Sequence, residues 1–349
     1  MNKVEKLILS KVNYQNKVLD FIKKHFDLNK NKTLVFATST LFNIEALETK
    51  LTTNIINLGR LNNSRFINKF LEEVNKKMPI SGLYFGCVET FPNRKKSIMK
   101  SYPFFLNHIV YFTDMIVKRV FPKLIITRRI YFYLTKGRNR VISRAETYGR
   151  LYSCGFEIVD EESIGNMQYF VVRKIKVPTF DKNPTYGAII RLKRIGKNRK
   201  FFNVYKLRTM HPFSEYLQEY IYKKHNLAKG GKIHDDFRIS PEGRVLRKFW
   251  LDEIPMFYNL LKGDVKLVGV RPLSNHYFNL YSKELKILRV KHKPGLIPPF
   301  YVDLPITLNE IMDSELKYLK AYEKAPLKTD FIYFIKSLSN ILIKKARSQ

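Results

Sequence analysis

The chain has 349 residues, 45% of them hydrophobic, which suffices for one large domain or two domains with buried cores. Its 64 Lys and Arg against 30 Asp and Glu give a net charge of +34, which predicts a polyanionic partner: nucleic acid, an anionic membrane face or a phosphorylated substrate. Two cysteines cannot form a disulfide framework or a usual zinc site, and no apolar run reaches the roughly 18 residues of a simple transmembrane helix.

The first region of the chain has the pattern of an alternating α/β domain. In chain order, its predicted elements are a strand at 33–37, a strand at 55–58, a helix at 64–77, a strand at 82–88, a helix at 144–154 and a hairpin of strands at 156–159 and 169–172. This ending resembles the last strands of Rossmann-like methyltransferases. The segment Phe36-Ala-Thr-Ser-Thr-Leu, however, has no glycine to admit a cofactor. We therefore expect residues 1–177 to form a degenerate, Rossmann-like α/β domain.

Residues 102–134 are the most apolar and aromatic part of the chain. The pattern predicts two short apolar helices that are separated at Pro122 and flanked by cations such as Lys118 and Arg128. Such a pair fits a segment that enters one leaflet of a membrane, and it equally fits two core helices of the first domain. Both interpretations stay open at this stage.

Strand patterns resume at Gly187, where a predicted hairpin spans residues 187–210. Alternation along its second strand places Lys206 and Arg208 on one face, where a point charge and a planar guanidinium can hold a phosphate. Two cations spaced in this way usually lie on a solvent-exposed strand face and bind no ligand. The next block, 235–249, begins Asp235-Asp236-Phe-Arg and contributes Arg247 as a further candidate cation.

An adjacent pair of carboxylates, Asp252 and Glu253, precedes a predicted helix that opens at Pro255 and ends at Gly263. Ile254, Phe257, Tyr258 and Leu261 share one face of this helix. Carboxylates are favoured at the positive end of a helix, and so is a bound phosphate. The simpler interpretation is that the pair only complements the helix dipole.

Two further blocks complete the pattern. Residues 264–270 predict a buried strand that delivers Arg271 and Pro272 at its end, and 293–299, rich in proline and glycine, predict a rigid turn that forms a pocket wall. Cations converging on adjacent carboxylates suit the cleavage of a diphosphate linkage. One carboxylate can attack phosphorus while its neighbour holds a divalent cation.

The order and spacing of these blocks resemble the monotopic phosphoglycosyl transferases, bacterial sugar transferases that initiate capsule, O-antigen and exopolysaccharide synthesis. The likeness rests on Tyr-Lys-x-Arg-Thr-Met from Tyr205, Leu-Asp-Glu-x-Pro from Leu251, Asn-x-Leu-Lys-Gly-Asp from Asn259, and Gly-x-Arg-Pro from Gly269. It implies an α+β catalytic domain at 178–349 that transfers a sugar phosphate from a UDP-sugar to undecaprenyl phosphate.

The resemblance also implies roles for individual residues. Asp252 is the expected nucleophile, which forms a phosphosugar ester, and Glu253 is the expected magnesium ligand. Lys206, Arg208, Arg247 and Arg271 are the cations expected to hold phosphates.

Three departures limit the resemblance: Val270 stands where the family has proline, Leu296-Ile-Pro replaces Ile-Thr-Gly, and the re-entrant hairpin expected before Gly187 is missing. The segment 102–134 is the candidate substitute. An amphipathic stretch at 330–345 fits an interfacial helix, and it equally fits a helix that packs on the core. These features predict a monotopic or peripheral protein at the cytoplasmic face of the inner membrane. Nucleic acid is not an expected partner. The alternatives are an inactive scaffold of the same fold, and a basic nucleic-acid-binding protein, which would leave the carboxylate pair unexplained.

Overall fold

The computed structural model describes residues 3–12, 15–28, 33–47, 53–180, 187–224 and 236–343. The chain divides into two compact units: Met1–Gly187 with His211–Lys224, and Ala188–Met210 with His225–Gln349. The predicted boundary between residues 177 and 178 assigns 211–224 to the second domain. In the structure this segment belongs to the first unit.

The segment 211–224 packs on a helix of the first unit through aromatic and cation–π contacts. The Arg150 guanidinium lies 4.2 Å from the ring centre of Phe213, and the Tyr148 and Tyr220 rings are 6.3 Å apart. Gly149 admits this approach, because a Cβ atom there would lie 2.2 Å from the Phe213 carbonyl oxygen. These contacts depend on residues distant in sequence, so no local pattern indicates them.

The first unit is built on one five-stranded sheet with the spatial order β1-β2-β3-β5-β4. Its strands are β1 (Thr33–Phe36), β2 (Asn54–Arg60), β3 (Leu83–Val88), β4 (Phe156–Ile164) and β5 (Met167–Lys174). The first three strands are parallel, and β5 runs antiparallel to both β3 and β4. The predicted strands and closing hairpin are thereby confirmed, as is a mixed α/β class. The finer Rossmann-like assignment stays a prediction.

Nine helices accompany this sheet within the described ranges. They are α1 (Lys3–Lys11), α2 (Gln15–Lys23), α3 (Leu41–Glu45), α4 (Ile67–Lys77), α5 (Phe91–Ser101), α6 (Phe104–Met115), α7 (Ile125–Thr135), α8 (Arg144–Ser153) and α9 (Gln218–Lys224). Helices α1 and α2 contribute Ile8, Phe21 and Ile22 to a core cluster with Ile56 of β2 and Phe85 of β3. Helix α8 ends before Gly155, whose positive φ of 84° suits glycine and starts the hairpin.

The apolar segment 102–134 forms the two short helices α6 and α7, as predicted. Between them lie a π-helical segment at Ile116–Val120 and a 3₁₀ turn at Phe121–Lys123 that contains Pro122. Over the part of the chain that the structure describes, no helix is both long enough and apolar enough to cross a membrane.

The second unit contains two small sheets and seven described helices. Strands β6 (Ile189–Ile195) and β7 (Phe201–Leu207) pair antiparallel, and β8 (Lys266–Val268) and β9 (Gly295–Ile297) pair parallel. The helices are α10 (Pro241–Lys248), α11 (Met256–Leu261), α12 (Asn275–Asn279), α13 (Lys283–Lys291), α14 (Phe300–Asp303), α15 (Leu308–Lys324) and α16 (Pro326–Leu342). The core centres on Val268, Leu285 and Tyr318.

Two predicted elements of this unit need correction. The predicted strand 264–270 is only three residues long, and the predicted turn 293–299 contains strand β9. Gly269 and Gly295 lie back to back, because a Cβ atom on Gly295 would lie 2.1 Å from the Gly269 nitrogen. The glycines therefore serve a close strand approach. The amphipathic pattern at 330–345 is helical in α16, and Lys344 and Lys345 lie outside the described residues.

Candidate active site

The β6–β7 hairpin carries the first pair of predicted phosphate-binding cations. Ile190 of β6 pairs with Lys206 of β7, and the Lys206 Nζ donates a hydrogen bond to Glu253 Oε1 at 2.5 Å. The Arg208 backbone N–H donates to the Ala188 carbonyl at 2.7 Å and closes the open end of the hairpin. The hairpin thus holds Lys206 against Glu253, with Arg208 two residues further along.

The two carboxylates lie in a 3₁₀ turn of their own, Leu251–Glu253, between α10 and α11. Trp250, directly before the turn, has a left-handed backbone with φ of 58°, which is uncommon for a residue other than glycine. Its ring packs on Tyr301 with the ring centres 4.8 Å apart. Helix α11 has six residues and begins at Met256, so the two carboxylates precede a short helix and lie in a packed turn of their own. The helix-dipole interpretation stays a prediction.

Asp252 and Glu253 occupy different electrostatic environments although they are adjacent. Burial raises the pKa of the half-buried Asp252 carboxyl, while Lys206 and Arg247 act in the opposite direction. Asp252 has no ion-pair partner among the described residues, whereas Glu253 is paired with Lys206. The turn therefore presents one paired carboxylate and one carboxylate that is flanked by cations without being bound to them.

Arg247 is fixed by Thr209, which is the threonine of the Arg-Thr-Met element. Arg247 Nε donates to Thr209 Oγ1 at 2.9 Å, and the Ser240 backbone N–H donates to the Thr209 carbonyl at 3.0 Å. Gly243 permits this contact between α10 and Thr209, because a Cβ atom there would lie 1.9 Å from the Thr209 oxygen. Thr209 is thus a positioning residue that the sequence pattern contains but does not single out.

A second ion pair borders Arg247. Arg238, which is buried, makes a two-point contact with Asp236 through Nε and Nη2 at 2.9 and 2.7 Å. Burial lowers the pKa of the Arg247 guanidinium, and Asp252 and Asp236 oppose that shift. Asp235 of the same predicted block lies outside the described residues.

Arg271 is exposed at the end of the β8 segment, and its backbone is held by a buried ion pair. Arg289 Nη2 donates to the Arg271 carbonyl at 2.5 Å, and Arg289 Nη1 is bonded to Glu315. The Arg271 charge contributes to lowering the pKa of Arg247, so the two guanidinium groups lie within electrostatic range. Arg289 and Glu315 were not indicated by the sequence, because they lie on separate helices far apart in the chain.

Asn259, the first residue of the Asn-x-Leu-Lys-Gly-Asp element, joins the site's segments. Its side chain is fully buried, accepts from the Tyr205 backbone N–H at 3.0 Å, and donates to the Asn203 carbonyl at 2.7 Å and to Asp264 Oδ2 at 3.1 Å. It therefore connects the strand that bears Lys206 to the helix that follows the carboxylates.

An apolar surface follows the carboxylate turn. Ile254, Phe257, Tyr258 and Leu261, which share one face in the predicted helix, are each at least 51% exposed. This face of α11 is not part of the core of the second unit. The site therefore combines cations, carboxylates and an exposed apolar face.

The structure brings Lys206, Arg247, Asp252 and Glu253 together, and Arg271 lies in electrostatic range of Arg247. Arg208, two residues after Lys206 in the sequence, is half-buried. Their predicted roles stay predictions. Carboxylate oxygens such as those of Asp252 and Glu253 are the type of ligand that magnesium prefers, since that ion is held by one or two carboxylates together with phosphate oxygens and water. Within the described ranges, no group of three or more His, Cys, Asp or Glu residues could hold a metal.

The sequence profile of the bacterial sugar transferase family matches residues 170–344, half of the chain. The chain belongs to this family. The match includes every candidate residue described above and most of the second unit.

Curated relatives carry corresponding names. The chain is 34% identical over 151 residues to galactosyl transferase CpsE of Streptococcus agalactiae, covering 43% of this chain and 33% of the relative. It is 36% identical over 119 residues to the uncharacterized sugar transferase EpsL of Bacillus subtilis, covering 31% and 52%. It is 30% identical over 199 residues to undecaprenyl-phosphate galactose phosphotransferase of Salmonella typhimurium, covering 56% and 39%. The chain therefore spans between about a third and a half of these relatives' lengths.

Proposed function

We propose that the protein is a phosphoglycosyl transferase, which moves a sugar 1-phosphate from a UDP-sugar to undecaprenyl phosphate and so initiates the synthesis of an exopolysaccharide, capsule or O-antigen. The observation that carries the proposal is Asp252, a half-buried carboxylate without an ion-pair partner in the described chain, within electrostatic range of Arg247 and of the Lys206–Glu253 pair. Family membership and the name of the Salmonella relative support it.

In the proposed first step, an Asp252 Oδ atom attacks the β-phosphorus of the UDP-sugar. The bond from this phosphorus to the oxygen that bridges the two phosphates breaks, and UMP leaves with that electron pair. An aspartyl phosphosugar remains. The raised pKa of Asp252 reflects a carboxylate that is poorly solvated, while Lys206 and Arg247 favour the ionised form that attacks.

In the second step, a phosphate oxygen of the polyprenyl phosphate attacks the phosphorus of the aspartyl ester. The Asp252 carboxylate is released unchanged, and the products are a polyprenyl diphosphate sugar and the regenerated enzyme. The exposed apolar face of α11 directly follows the carboxylate turn and suits a lipid acceptor.

The cations divide between holding phosphate and arranging the carboxylates. Arg247 is fixed by Thr209 and presents the rest of its guanidinium to a phosphate, while exposed Arg271 and half-buried Arg208 supply further positive charge. Lys206 fixes one oxygen of Glu253. Glu253 is the residue that would hold magnesium, which when bound would neutralise phosphate charge in the donor.

The direct test is to incubate detergent-extracted protein with undecaprenyl phosphate, magnesium and a panel of UDP-sugars, and to measure UMP release. Release that depends on the lipid and on one of the donors supports the proposal. The absence of release from every donor, with lipid and metal present, favours a scaffold of the same fold. We also propose that the protein lies at the cytoplasmic face of the inner membrane. Its recovery in the membrane fraction of cells tests the attachment, and protection from protease added outside intact spheroplasts tests the face.

A further inference from the structure

Helices α6 and α7 of the first unit turn their apolar residues outward. Six large side chains are each at least 67% exposed: Phe104, Phe105, Phe112, Ile126, Tyr133 and Leu134. We call these six residues the α6–α7 patch. On α7, positions 126, 133 and 134 lie on one helical face, as do positions 105 and 112 on α6. Each helix therefore presents an exposed face of large apolar residues, a feature that marks a site of interaction.

Two polar residues of α6, Asn107 and Asp114, face the rest of the first unit, whereas His108 and Thr113 are exposed. Asn107 is only 6% exposed, and Asp114 makes a two-point contact with Arg94 through Oδ2 and Oδ1 at 2.5 and 2.7 Å. Lys118 adds a second ion pair to Asp114 at 2.9 Å. A helix that faces water has the reverse arrangement, with its polar side outward. Helix α6 is therefore attached to the first unit by polar contacts and presents its apolar side to the surroundings.

The charge around the patch fits an anionic partner. Residues 91–142 contain 12 Lys and Arg and one acidic residue, Asp114, and two of these cations, Arg119 and Arg140, are buried. Exposed Lys95, Lys96 and Lys100 lie on α5, and Arg128 and Arg129 are exposed on α7 between residues of the patch. Long basic side chains can leave their charged ends at a lipid headgroup while apolar neighbours enter the acyl region.

We propose that the α6–α7 patch inserts into one leaflet of an anionic lipid bilayer. Helix α6 has 12 residues and α7 has 11, so each is about 17–18 Å long, less than the hydrocarbon core of a bilayer. The helices lie in the interface, and the ion pairs that Asp114 makes with Arg94 and Lys118 stay on the protein side. The inference concerns the first unit and goes beyond the proposed transferase activity.

The two native cysteines allow a test with site-specific labels in the full chain. Cys87 and Cys154 are 3% and 1% exposed, and burial raises the pKa of each thiol to about 12, so neither reacts readily with a thiol-specific dye. Single variants Ile126→Cys and Tyr133→Cys place an environment-sensitive fluorophore on the patch. Phe42→Cys is the matched control, because Phe42 is 74% exposed on α3 of the same unit.

The labelled proteins are mixed with vesicles of phosphatidylglycerol and phosphatidylcholine in equal parts, without sugar donor or polyprenyl phosphate. We expect the emission at positions 126 and 133 to shift to the blue and to be quenched by lipids with brominated acyl chains. The label at position 42 should stay in water. The double variant Phe105→Ser with Ile126→Ser should bind the vesicles at least about tenfold more weakly, because two large apolar side chains no longer leave water.

Three results would overturn the inference. One is a protein that does not bind these vesicles, and another is a vesicle-bound protein whose labels at 126 and 133 remain in water. The third is a blue shift that needs no lipid and increases with protein concentration, since that result assigns the patch to a second copy of the chain. UMP release is measured separately, so failure of the transferase proposal and failure of membrane insertion are distinguished.

Discussion

Asn259 gives the sharpest test of how the site is held together. Its fully buried amide makes three hydrogen bonds, to the Tyr205 N–H, the Asn203 carbonyl and the Asp264 carboxylate. Asn259→Ala removes all three and leaves the Tyr205 N–H without its acceptor. The strand that bears Lys206 then loses its connection to α11.

The magnitude follows from the number of hydrogen bonds lost. At about 1 kcal/mol of net stability for each bond, the free energy of unfolding should fall by about 3 kcal/mol. For a unit of this size, each kcal/mol lowers the thermal midpoint by roughly 2–4 °C, so a decrease of roughly 6–12 °C is expected. Hydrogen exchange gives a local measurement, because the Tyr205 amide should lose protection on the same substitution.

Asn309→Ala is the matched control, since Asn309 is exposed near the start of α15. Thermal scans and hydrogen exchange by mass spectrometry are recorded for both variants and the wild type. The control should unfold within about 0.5 kcal/mol of the wild type. If Asn259→Ala kept the wild-type midpoint and the wild-type protection of β7, Asn259 would not join these segments.

Three further outcomes are expected. Because burial raises the pKa of Asp252, its ionised form destabilises the folded state above the folded pKa, and Asp252→Asn should match or exceed the wild-type thermal midpoint at neutral pH. The difference should vanish as the pH falls below the ordinary pKa range of an aspartate. A large decrease in the midpoint at neutral pH would contradict the raised pKa of Asp252. Glu315→Gln leaves Arg289 buried without its counter-charge and should lower the free energy of unfolding in urea by about 3–5 kcal/mol. Glu284→Gln removes one partner of an exposed ion pair and should lower it by about 1 kcal/mol or less. Equal effects would contradict the argument that burial makes the Arg289–Glu315 pair the more important of the two. EDTA should abolish UMP release, and magnesium or manganese should restore it, since both ions prefer carboxylate and phosphate oxygens; full turnover in EDTA would exclude the proposed metal.

Local patterns predict the elements that depend on neighbouring residues. The strands of the first unit, the break at Gly155 and the β6–β7 hairpin all follow from alternation, helix periodicity and turn residues. The predicted turn at 293–299 is wrong because the structure there depends on residues that are distant in sequence. Strand β9 exists because it pairs in parallel with β8, and the two glycines that allow this approach are 26 residues apart, at 269 and 295.

The candidate site likewise combines residues that local motifs predict with contacts between residues that are distant in sequence. The adjacent carboxylates Asp252 and Glu253 and the cation Lys206 are visible as motifs, but the contact between Lys206 and Glu253 spans 47 positions. The left-handed backbone of Trp250 has no sequence signature, since glycine is the residue usually expected there. Arg289 and Glu315 are absent from the motifs because each acts only through a partner on another helix.

The covalent intermediate is the central claim, and intact-protein mass spectrometry tests it most directly. Wild-type protein is incubated with the accepted UDP-sugar and magnesium in the absence of polyprenyl phosphate, and mass and UMP are measured together. The wild type should gain the mass of one phosphosugar and release UMP, and adding the lipid should remove the adduct. Asp252→Asn, once a thermal scan has shown that it is folded, should show neither adduct nor turnover. An Asp252→Asn protein with near wild-type UMP release would contradict the mechanism.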